Sequence, residues 1–157
     1  TTDVMGTQIC GAVKNVLAIA CGIARGKGFG ENTVAALITR GLAEVGKLVV
    51  AKGGNYQTVM GLCGVGDIVL TCSSLESRNN SLGNLIGKGM SLSKAITKQP
   101  GVVEGVYTTQ AIHNICEQLN IEMPICESVY KILYANEDID ETIHHLLARP
   151  LTNEIKF

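Results

Sequence analysis

The order of apolar and polar positions along the chain predicts a series of helices. Residues 4–24 are almost continuously apolar, and over residues 31–52 apolar side chains recur every three or four positions, as on one face of an α-helix. Glycines and prolines interrupt these patterns. Together they predict helices over residues 3–24, 31–52, 56–62, 77–88, 91–98, 107–119, 125–134 and 138–147, and a tail over 148–157.

Local signals refine this all-α interpretation. Thr2 or Asp3 is a plausible N-cap for the first helix. The glycine-rich stretch 26–30 resembles a phosphate-binding loop, but it follows a helix rather than a strand, so we interpret it as a turn. The run 68–71 alone fits a short strand, for which no partner strand is found. On the second helix, Arg40, Glu44 and Lys47 predict a solvated charged face.

Composition limits the class of protein. A chain of 157 residues with 46% apolar and 17% charged residues fits one domain with a real core. Two Phe, four Tyr and no Trp suit packed helices better than a β-sandwich. Lys and Arg form no cluster and the net charge is −1, which argues against a nucleic-acid partner.

The cysteines and histidines indicate neither disulfides nor a metal site. The six cysteines include no C-x-x-C pair, so we expect buried free thiols in a cytoplasmic protein. His113, His144 and His145 lack metal-ligand spacing with any cysteine and are expected on helix surfaces. We expect no signal peptide, because the amino terminus lacks a basic region. The chain starts directly at a helix without an initiator Met, as a domain cut from a longer protein would.

Lys14 is the only charge within residues 4–24. Its neighbours one helical turn away are Cys10, Gly11, Leu17 and Ala18, none of them a carboxylate. Loss of water around this ammonium would favour proton transfer to or from it, which suits an acid, a base or a group that polarises a carbonyl. The alternative is that Lys14 extends past apolar neighbours to water. A lysine at mid-helix also argues against a membrane span.

Three further positions combine chemistry with a fitting local context. Asp67 follows two glycines in GVGD and could contact a ligand or cap the next helix. Ser77, Arg78 and Asn79 offer a hydroxyl, a guanidinium and an amide at a predicted helix start, where backbone N–H groups favour a phosphate; a capped helix with a surface arginine is the alternative. Glu104 could accept hydrogen bonds from sugar hydroxyls or lie on a loop surface.

Taken in order, the motifs of this chain resemble one enzyme family. They are GAVKNVLAIACGI, GFGENTVAALITRGLAEVGKL, GLCGVGDIVLTCSS, SRNNSLGNLIGKG, VVEGVYTT, EMPICESVYKILY and RPLTNE. Their order and spacing are similar to the carboxy-terminal half of bacterial-type NAD(P)-dependent glycerol-3-phosphate dehydrogenases. The resemblance implies that residues 1–157 form an all-α, multi-helix domain of the 6-phosphogluconate-dehydrogenase C-terminal type, which in the whole enzyme follows an amino-terminal Rossmann domain.

The resemblance also implies a function and site residues. The reaction would interconvert dihydroxyacetone phosphate and sn-glycerol 3-phosphate with NAD or NADP, in a cytoplasmic homodimer that feeds glycerophospholipid synthesis. Lys14 would transfer the proton, with Asn15 orienting substrate or lysine. Substrate binding would involve Lys14, Asp67, Ser77, Arg78 and Asn79, and cofactor binding would involve Arg78, Val102 and Glu104. No residue would hold a metal. The fragment alone is expected to be nearly inactive.

Two alternatives remain at this point. A related dehydrogenase could use the same helical domain for a hydroxy acid without phosphate, in which case Arg78 would not contribute to substrate affinity. A non-catalytic helical dimerisation module would explain the apolar helices, but it would not explain a lysine without a carboxylate neighbour.

Overall fold

The protein folds as a cluster of helices. The computed structural model describes residues 1–148, apart from the side chain of Leu147, and contains no strand in that range. The all-α prediction is confirmed, and the predicted tail lies outside the described residues except for Ala148. In order, the elements are α1 (Val4–Gly26), α2 (Glu31–Ala51), α3 (Tyr56–Val59), a π-helical segment (Leu62–Gly66), α4 (Asp67–Ser73), α5 (Arg78–Gly87), α6 (Leu92–Thr97), α7 (Glu104–Leu119), α8 (Pro124–Tyr134) and α9 (Ile139–Leu147).

Helix α1 is the centre of the fold. It packs against α2, α3, α4, α5, α7 and α8. Asp3 caps its first turn, as predicted, by accepting a hydrogen bond from the Gly6 N–H at 2.9 Å. The second carboxylate oxygen of Asp3 accepts from the Asn55 N–H at 2.8 Å and from the Thr58 hydroxyl at 2.7 Å. One carboxylate therefore starts α1 and fixes α3 beside it.

The apolar character of α1 is explained by burial. Among the described helices it alone is long and apolar enough to cross a membrane, judged by length and composition. Its most apolar 18-residue window is 61% buried inside the fold. A helix surrounded by other helices of the same domain needs an apolar surface on most sides, which is the pattern found here.

Helices α1 and α5 touch backbone to backbone. Gly22 and Gly26 on α1 face Gly83 and Gly87 on α5, and we call this contact the glycine seam. A Cβ on Gly83 would overlap the Ile19 carbonyl oxygen, and one on Gly22 would overlap the backbone of α5. The seam sets the two helices side by side in parallel, so the amino end of α5 lies beside the middle of α1.

Glu44 does not lie on the solvated face predicted for α2. Arg40 and Lys47 are exposed, but Glu44 is only 5% exposed. Its carboxylate accepts hydrogen bonds from the backbone N–H groups of Ile125 at 2.7 Å and Cys126 at 3.2 Å, so a residue of α2 caps α8. Burial raises the pKa of Glu44 to about 7, although the two backbone hydrogen bonds oppose that shift.

Two segments differ from what the local sequence pattern suggests. The run 68–71 belongs to helix α4 rather than to a strand. Its β-branched residues favour extended backbone locally, but in the fold the helix buries Ile68 and Cys72 on one face. Helix α7 begins at Glu104, three residues before the predicted start.

Of the three histidines, His113 is not the surface residue that was predicted. Its Nδ1 lies 2.8 Å from the Glu127 carboxylate, and its ring stacks on Tyr130 with centroids 3.6 Å apart. It therefore joins α7 to α8. His144 and His145 are exposed on α9, as predicted.

The cysteines contribute to packing. All six are free, and Cys10, Cys21, Cys72 and Cys126 are buried. Burial raises the pKa of the Cys10 and Cys116 thiols to about 11 and raises that of Cys126 well above its ordinary value. These thiols are protonated at neutral pH and are poor nucleophiles.

Candidate functional site

A polar cleft opens where α1, α4, α5 and the start of α7 meet. Its volume of about 390 Å³ suits a small ligand. The cleft is lined by Lys14, Asn15, Leu70, Thr71, Ser74, Glu76, Ser77, Arg78, Asn79 and Glu104. Residues widely separated in the sequence thus share one wall, and most of the site residues implied by the family resemblance are among them.

Lys14 has a carboxylate partner, contrary to the expectation from its own helix. Its Nζ donates a hydrogen bond to Asp67 Oδ2 at 2.6 Å. The side chains of Lys14 and Asp67 are 24% and 35% exposed, so the pair is partly shielded from water. Lys14 lines the cleft, whereas Asp67 is not among the lining residues. The neighbours of Lys14 along α1 include no carboxylate, because its partner comes from α4.

Asp67 owes its position to the residues around it. It is the first residue of α4, directly after the π-helical segment. Gly64 in that segment approaches the Val59 carbonyl so closely that a Cβ would overlap it. The Thr71 hydroxyl, one turn on, donates to the Asp67 carbonyl oxygen at 2.7 Å and lies 3.3 Å from its Oδ1. Thr71 was not singled out from the sequence, although an i, i+4 threonine after a ligand-facing aspartate is a usable signal.

Ser77 and Arg78 begin α5 at the rim of the cleft. Ser77 is the N-cap, and its hydroxyl accepts from the Asn80 N–H at 3.4 Å. Arg78 is exposed, and one guanidinium nitrogen lies close to Gly101, where a Cβ would come within 2.9 Å. No described carboxylate forms an ion pair with Arg78. The predicted helix start is confirmed, and the Arg78 guanidinium is available for an anion.

Asn79 and Asn15 connect α5, α1 and α7. Asn79 Nδ2 donates to Asn15 Oδ1 at 3.0 Å, and Asn79 Oδ1 accepts from the Gly105 N–H at 2.9 Å. Asn15 Nδ2 lies 3.5 Å from Glu104 Oε2 and 3.4 Å from the Gly11 carbonyl oxygen. On α5, Asn79 lies one turn before Gly83 of the glycine seam.

Of the remaining residues implied by the resemblance, Glu104 lines the cleft and Val102 does not. Glu104 is in the first turn of α7, not on a loop, and lines the cleft. Val102 is 63% exposed and is not among the lining residues. Leu70, Ser74 and Glu76 line the cleft without having been singled out; Ser74 and Glu76 lie just before the Ser77–Asn79 triplet, which would have been the signal.

The arrangement suits a phosphorylated ligand with hydroxyl or carbonyl groups. A lysine ammonium held by a carboxylate can exchange a proton with a nearby oxygen. A guanidinium at a helix amino end binds an anion. The Glu104 carboxylate can accept hydrogen bonds from hydroxyls. Within residues 1–148 no group of three or more His, Cys, Asp or Glu side chains is placed to hold a metal ion.

Comparison with known proteins shows the family to which the chain belongs. A family model described as the carboxy terminus of NAD-dependent glycerol-3-phosphate dehydrogenase matches residues 3–144. The chain is 50% identical over 153 residues to the glycerol-3-phosphate dehydrogenase [NAD(P)+] of Maricaulis maris. The matched region is 98% of this chain and 46% of that protein. A protein of the same name from Listeria monocytogenes is 48% identical over 147 residues, covering 94% and 44%.

Two solved structures share the fold. The crystal structure of glycerol-3-phosphate dehydrogenase from Coxiella burnetii superposes with a TM-score of 0.93 at 42% identity, covering 95% of this chain and 46% of that one. The glycerol-3-phosphate dehydrogenase of Saccharomyces cerevisiae has a TM-score of 0.84 at 28% identity, covering 92% and 42%. The chain thus spans less than half the length of the relatives it matches. It belongs to the family formed by the carboxy-terminal domain of NAD-dependent glycerol-3-phosphate dehydrogenases.

Proposed function

We propose that this chain is the substrate-binding and catalytic half of an enzyme that interconverts dihydroxyacetone phosphate and sn-glycerol 3-phosphate with NAD or NADP. The observation that carries the proposal is that Lys14, which is paired with Asp67, lies in one cleft with Arg78, which has no ion-pair partner within residues 1–148. A proton-transfer group and a phosphate-binding group are what a small phosphorylated ketone requires. Family membership supports the same reaction.

Lys14 is the proposed proton donor and acceptor. During reduction the carbonyl oxygen of the substrate becomes an alkoxide, and the Lys14 ammonium stabilises that charge and donates the proton. During oxidation the lysine amine takes the proton from the hydroxyl. Asp67 keeps the ammonium in place through its 2.6 Å contact, and Thr71 keeps the Asp67 carboxylate in place.

Arg78 and Ser77 are the proposed phosphate contacts. Arg78 brings a planar pair of donors, and the amino end of α5 adds backbone N–H groups and the favourable end of a ten-residue helix. Asn79 and Asp67 complete the proposed substrate set. The absence of an ion-pair partner for Arg78 in the described part of the chain supports a role in anion binding.

Arg78, Val102 and Glu104 are the proposed contacts of the nicotinamide cofactor. The residues present fit such a group, since Glu104 offers acceptors for hydroxyls inside the cleft, and Val102, which follows Gly101 in the sequence, offers an exposed apolar surface. When bound, a nicotinamide exchanges a hydride with the substrate carbon. In this proposal the Glu104 carboxylate orients hydroxyl groups of the cofactor, and the Arg78 guanidinium neutralises its negative charge.

The complete enzyme would contain an amino-terminal Rossmann domain that closes the cleft. Leu70 lines the cleft and is 69% exposed, and Leu62, nearby in the preceding π-helical segment, is 91% exposed. A partner domain over these side chains would remove them from water, which supports the proposal. We further propose a soluble cytoplasmic homodimer whose product supplies glycerophospholipid synthesis, with a small molecule rather than a nucleic acid as its ligand and no membrane span.

A chimera tests the reaction. The amino-terminal half of the Maricaulis maris relative, joined to this chain, should oxidise NADH or NADPH when dihydroxyacetone phosphate is added. Lys14→Ala should lower kcat by about 10²–10⁴-fold. Arg78→Ala should mainly raise KM for the phosphorylated substrate. The matched control is Lys94→Ala, on the exposed face of α6, which should leave both constants unchanged.

Two results would count against the proposal. Full activity of Lys14→Ala in a folded chimera would remove the proposed proton donor. Reduction of 2-oxo acids without phosphate, combined with an unchanged KM in Arg78→Ala, would favour the related hydroxy-acid dehydrogenase instead.

A further inference from the structure

We propose that Arg25, in the last turn of α1, is a positioning residue that keeps the Lys14–Asp67 pair together by fixing the far end of α4. The inference rests on the proposed function for the catalytic role of Lys14. The contacts themselves belong to this chain alone, so the effect of Arg25 on the pair can be measured without substrate or cofactor.

Lys14 and Arg25 hold opposite ends of the same short helix. They are the two cations of α1, and positions 14 and 25 are about three helical turns apart, so both lie on one side of α1. Lys14 contacts Asp67, the first residue of α4, at 2.6 Å. Nη1 of Arg25 donates a hydrogen bond to the carbonyl oxygen of Cys72, in the last turn of α4, at 2.8 Å. Helix α4 is therefore attached to α1 at both ends.

The Cys72 carbonyl is a buried acceptor that needs donors from outside α4. Carbonyl groups in the last turn of a helix have no N–H partner within that helix. Asn80 Nδ2 donates to the same oxygen at 2.7 Å, and Asn80 and Cys72 are both 0% exposed. The two donors match the two lone pairs of the oxygen, so the end of α4 is fixed from α1 and from α5.

The Arg25 guanidinium is itself held in one orientation. Its Nε and Nη2 donate to the two carboxylate oxygens of Glu31, the first residue of α2, at 2.9 Å and 2.8 Å. This planar fork leaves Nη1 for Cys72. The side chain of Arg25 is only 12% exposed, so water competes little for these contacts. Arg25 thus transmits the position of α1 and α2 to the end of α4.

Apolar packing is the alternative explanation for the position of α4. Ile68 and Cys72 are buried on the face of α4 that meets the core. Apolar contacts have no preferred direction, so they keep a short helix against the core without fixing its rotation or its shift along α1. A hydrogen bond such as the Lys14–Asp67 contact depends on distance and angle within narrow limits. The directional contact of Arg25 at the other end supplies that precision.

Arg25→Met and Lys27→Met form a matched pair of variants. Arg25→Met removes the guanidinium but keeps an unbranched apolar side chain. Lys27→Met, two positions further on, removes the ion pair of Lys27 with Asp140 at 2.7 Å, which joins the end of α1 to α9 rather than to α4. Each variant loses one positive charge and one ion pair near the same end of α1, and only Arg25→Met loses a contact with α4.

The test is NMR of the 157-residue chain labelled with ¹⁵N and ¹³C. In the unmodified chain the Lys14 ammonium nitrogen should show a correlation, through the hydrogen bond, to the Asp67 carboxyl carbon. Lys27→Met should keep this correlation. Arg25→Met should shift the signal of the Cys72 carbonyl carbon and should lose or strongly weaken the Lys14–Asp67 correlation. An unchanged correlation in folded Arg25→Met would show that packing alone holds α4 and would overturn the proposal.

Arg25→Lys decides the matter if Arg25→Met does not fold. It keeps the positive charge beside Glu31, but the donors of an ammonium radiate from one nitrogen and cannot replace the fork to Glu31 and the bond to Cys72 together. The Lys14–Asp67 correlation should therefore weaken in a chain that stays folded. A correlation of full intensity in Arg25→Lys would overturn the proposal.

Kinetics of the chimera separates this inference from the proposed function. Arg25→Met should lower kcat with dihydroxyacetone phosphate about three- to tenfold and leave KM unchanged. In an Asp67→Asn background the same substitution should cost less than about twofold, because Arg25 acts through Asp67. An unchanged kcat, or equal losses in both backgrounds, would overturn the positioning role. An inactive unmodified chimera would count against the proposed function, while the Lys14–Asp67 correlation would still decide the role of Arg25.

Discussion

Lys14 and Asp67 are 53 positions apart in the sequence and 2.6 Å apart in the fold. One lies in the middle of the central helix and the other at the start of α4, so the ion pair exists only when the two helices are packed together. An ammonium used for proton transfer must be held in one place, and this contact does so from a separate element. The pair is also partly exposed, which limits what it adds to stability.

The first prediction concerns the Lys14–Asp67 ion pair, which positions the ammonium but contributes little to stability. Asp67→Asn should lower kcat of the chimera with dihydroxyacetone phosphate by at least about tenfold, because the lysine loses its charged partner. The melting temperature of the isolated chain should change little. The control is Glu137→Gln, which removes the partly exposed Lys131–Glu137 pair away from the cleft and should change neither quantity. A large loss of stability in Asp67→Asn with unchanged kcat would assign the pair to the fold rather than to catalysis.

A second prediction concerns Thr71. Thr71→Val has nearly the same shape but cannot donate to Asp67, so the carboxylate becomes less well oriented. We expect kcat to fall several-fold with little change in KM, while Thr71→Ser, which keeps the hydroxyl, retains most of the activity. Steady-state kinetics of the three chimeras measures this. Equal activity of the valine and serine variants would show that the hydroxyl is not used.

A third prediction is a pH dependence that originates at Glu44. The folded state raises the pKa of this carboxyl from 4.5 to about 7, so between these values the folded chain holds a proton that the unfolded chain has lost. The free energy of unfolding should therefore fall as pH rises through that window, by an amount on the order of 3 kcal/mol. Glu44→Gln cannot titrate and should lack this component.

Urea unfolding at several pH values across that window measures the effect. The difference in free energy of unfolding between the unmodified chain and Glu44→Gln should decline up to about pH 7 and then level off. Glu141→Gln, on the exposed side of α9, should give a nearly constant difference. If Glu44→Gln also gave a constant difference, the carboxyl would titrate as it does in the unfolded chain.

The glycine seam supplies a fourth prediction. Gly83→Ala places a methyl group on the Ile19 carbonyl oxygen and should destabilise the chain by about 1–3 kcal/mol or more, because two backbones must separate. Gly11→Ala, on the same central helix, meets nothing within 4 Å and should stabilise it by about 0.5–1 kcal/mol. Thermal unfolding of the two variants should therefore move in opposite directions. Similar shifts for both would mean that the seam can relax.

The sequence predicted most of the helices, because their signals are local. The apolar period of α2, the N-cap Asp3 and the proline that begins α8 are properties of neighbouring residues. The run 68–71 fits a strand by its sequence because its β-branched residues have a local preference for extended backbone. Packing of α4 against α1 overrides that preference.

The chemical groups of the site were predicted better than their contacts. Six lining residues, Lys14, Asn15, Ser77, Arg78, Asn79 and Glu104, were singled out from motifs, whereas Leu70, Thr71, Ser74 and Glu76 were not. Asp67 beside Lys14 and Ile125 beside Glu44 are contacts between distant positions. The period of α2 placed Glu44 on its charged face with Arg40 and Lys47, and nothing in that helix indicates that α8 begins there. Such pairs follow from how helices cross, which a single sequence read by periodicity does not contain.

The glycine seam also constrains how this domain can diversify. A contact made of backbone has no side chain to shorten or enlarge, so the distance between α1 and α5 cannot be adjusted by exchanging core residues of different size. Helix α1, which carries Lys14, and helix α5, which carries Arg78, therefore keep a constant separation. Relatives that accept longer or shorter substrates would have to change parts of the cleft outside this seam, such as Leu70 and Ser74.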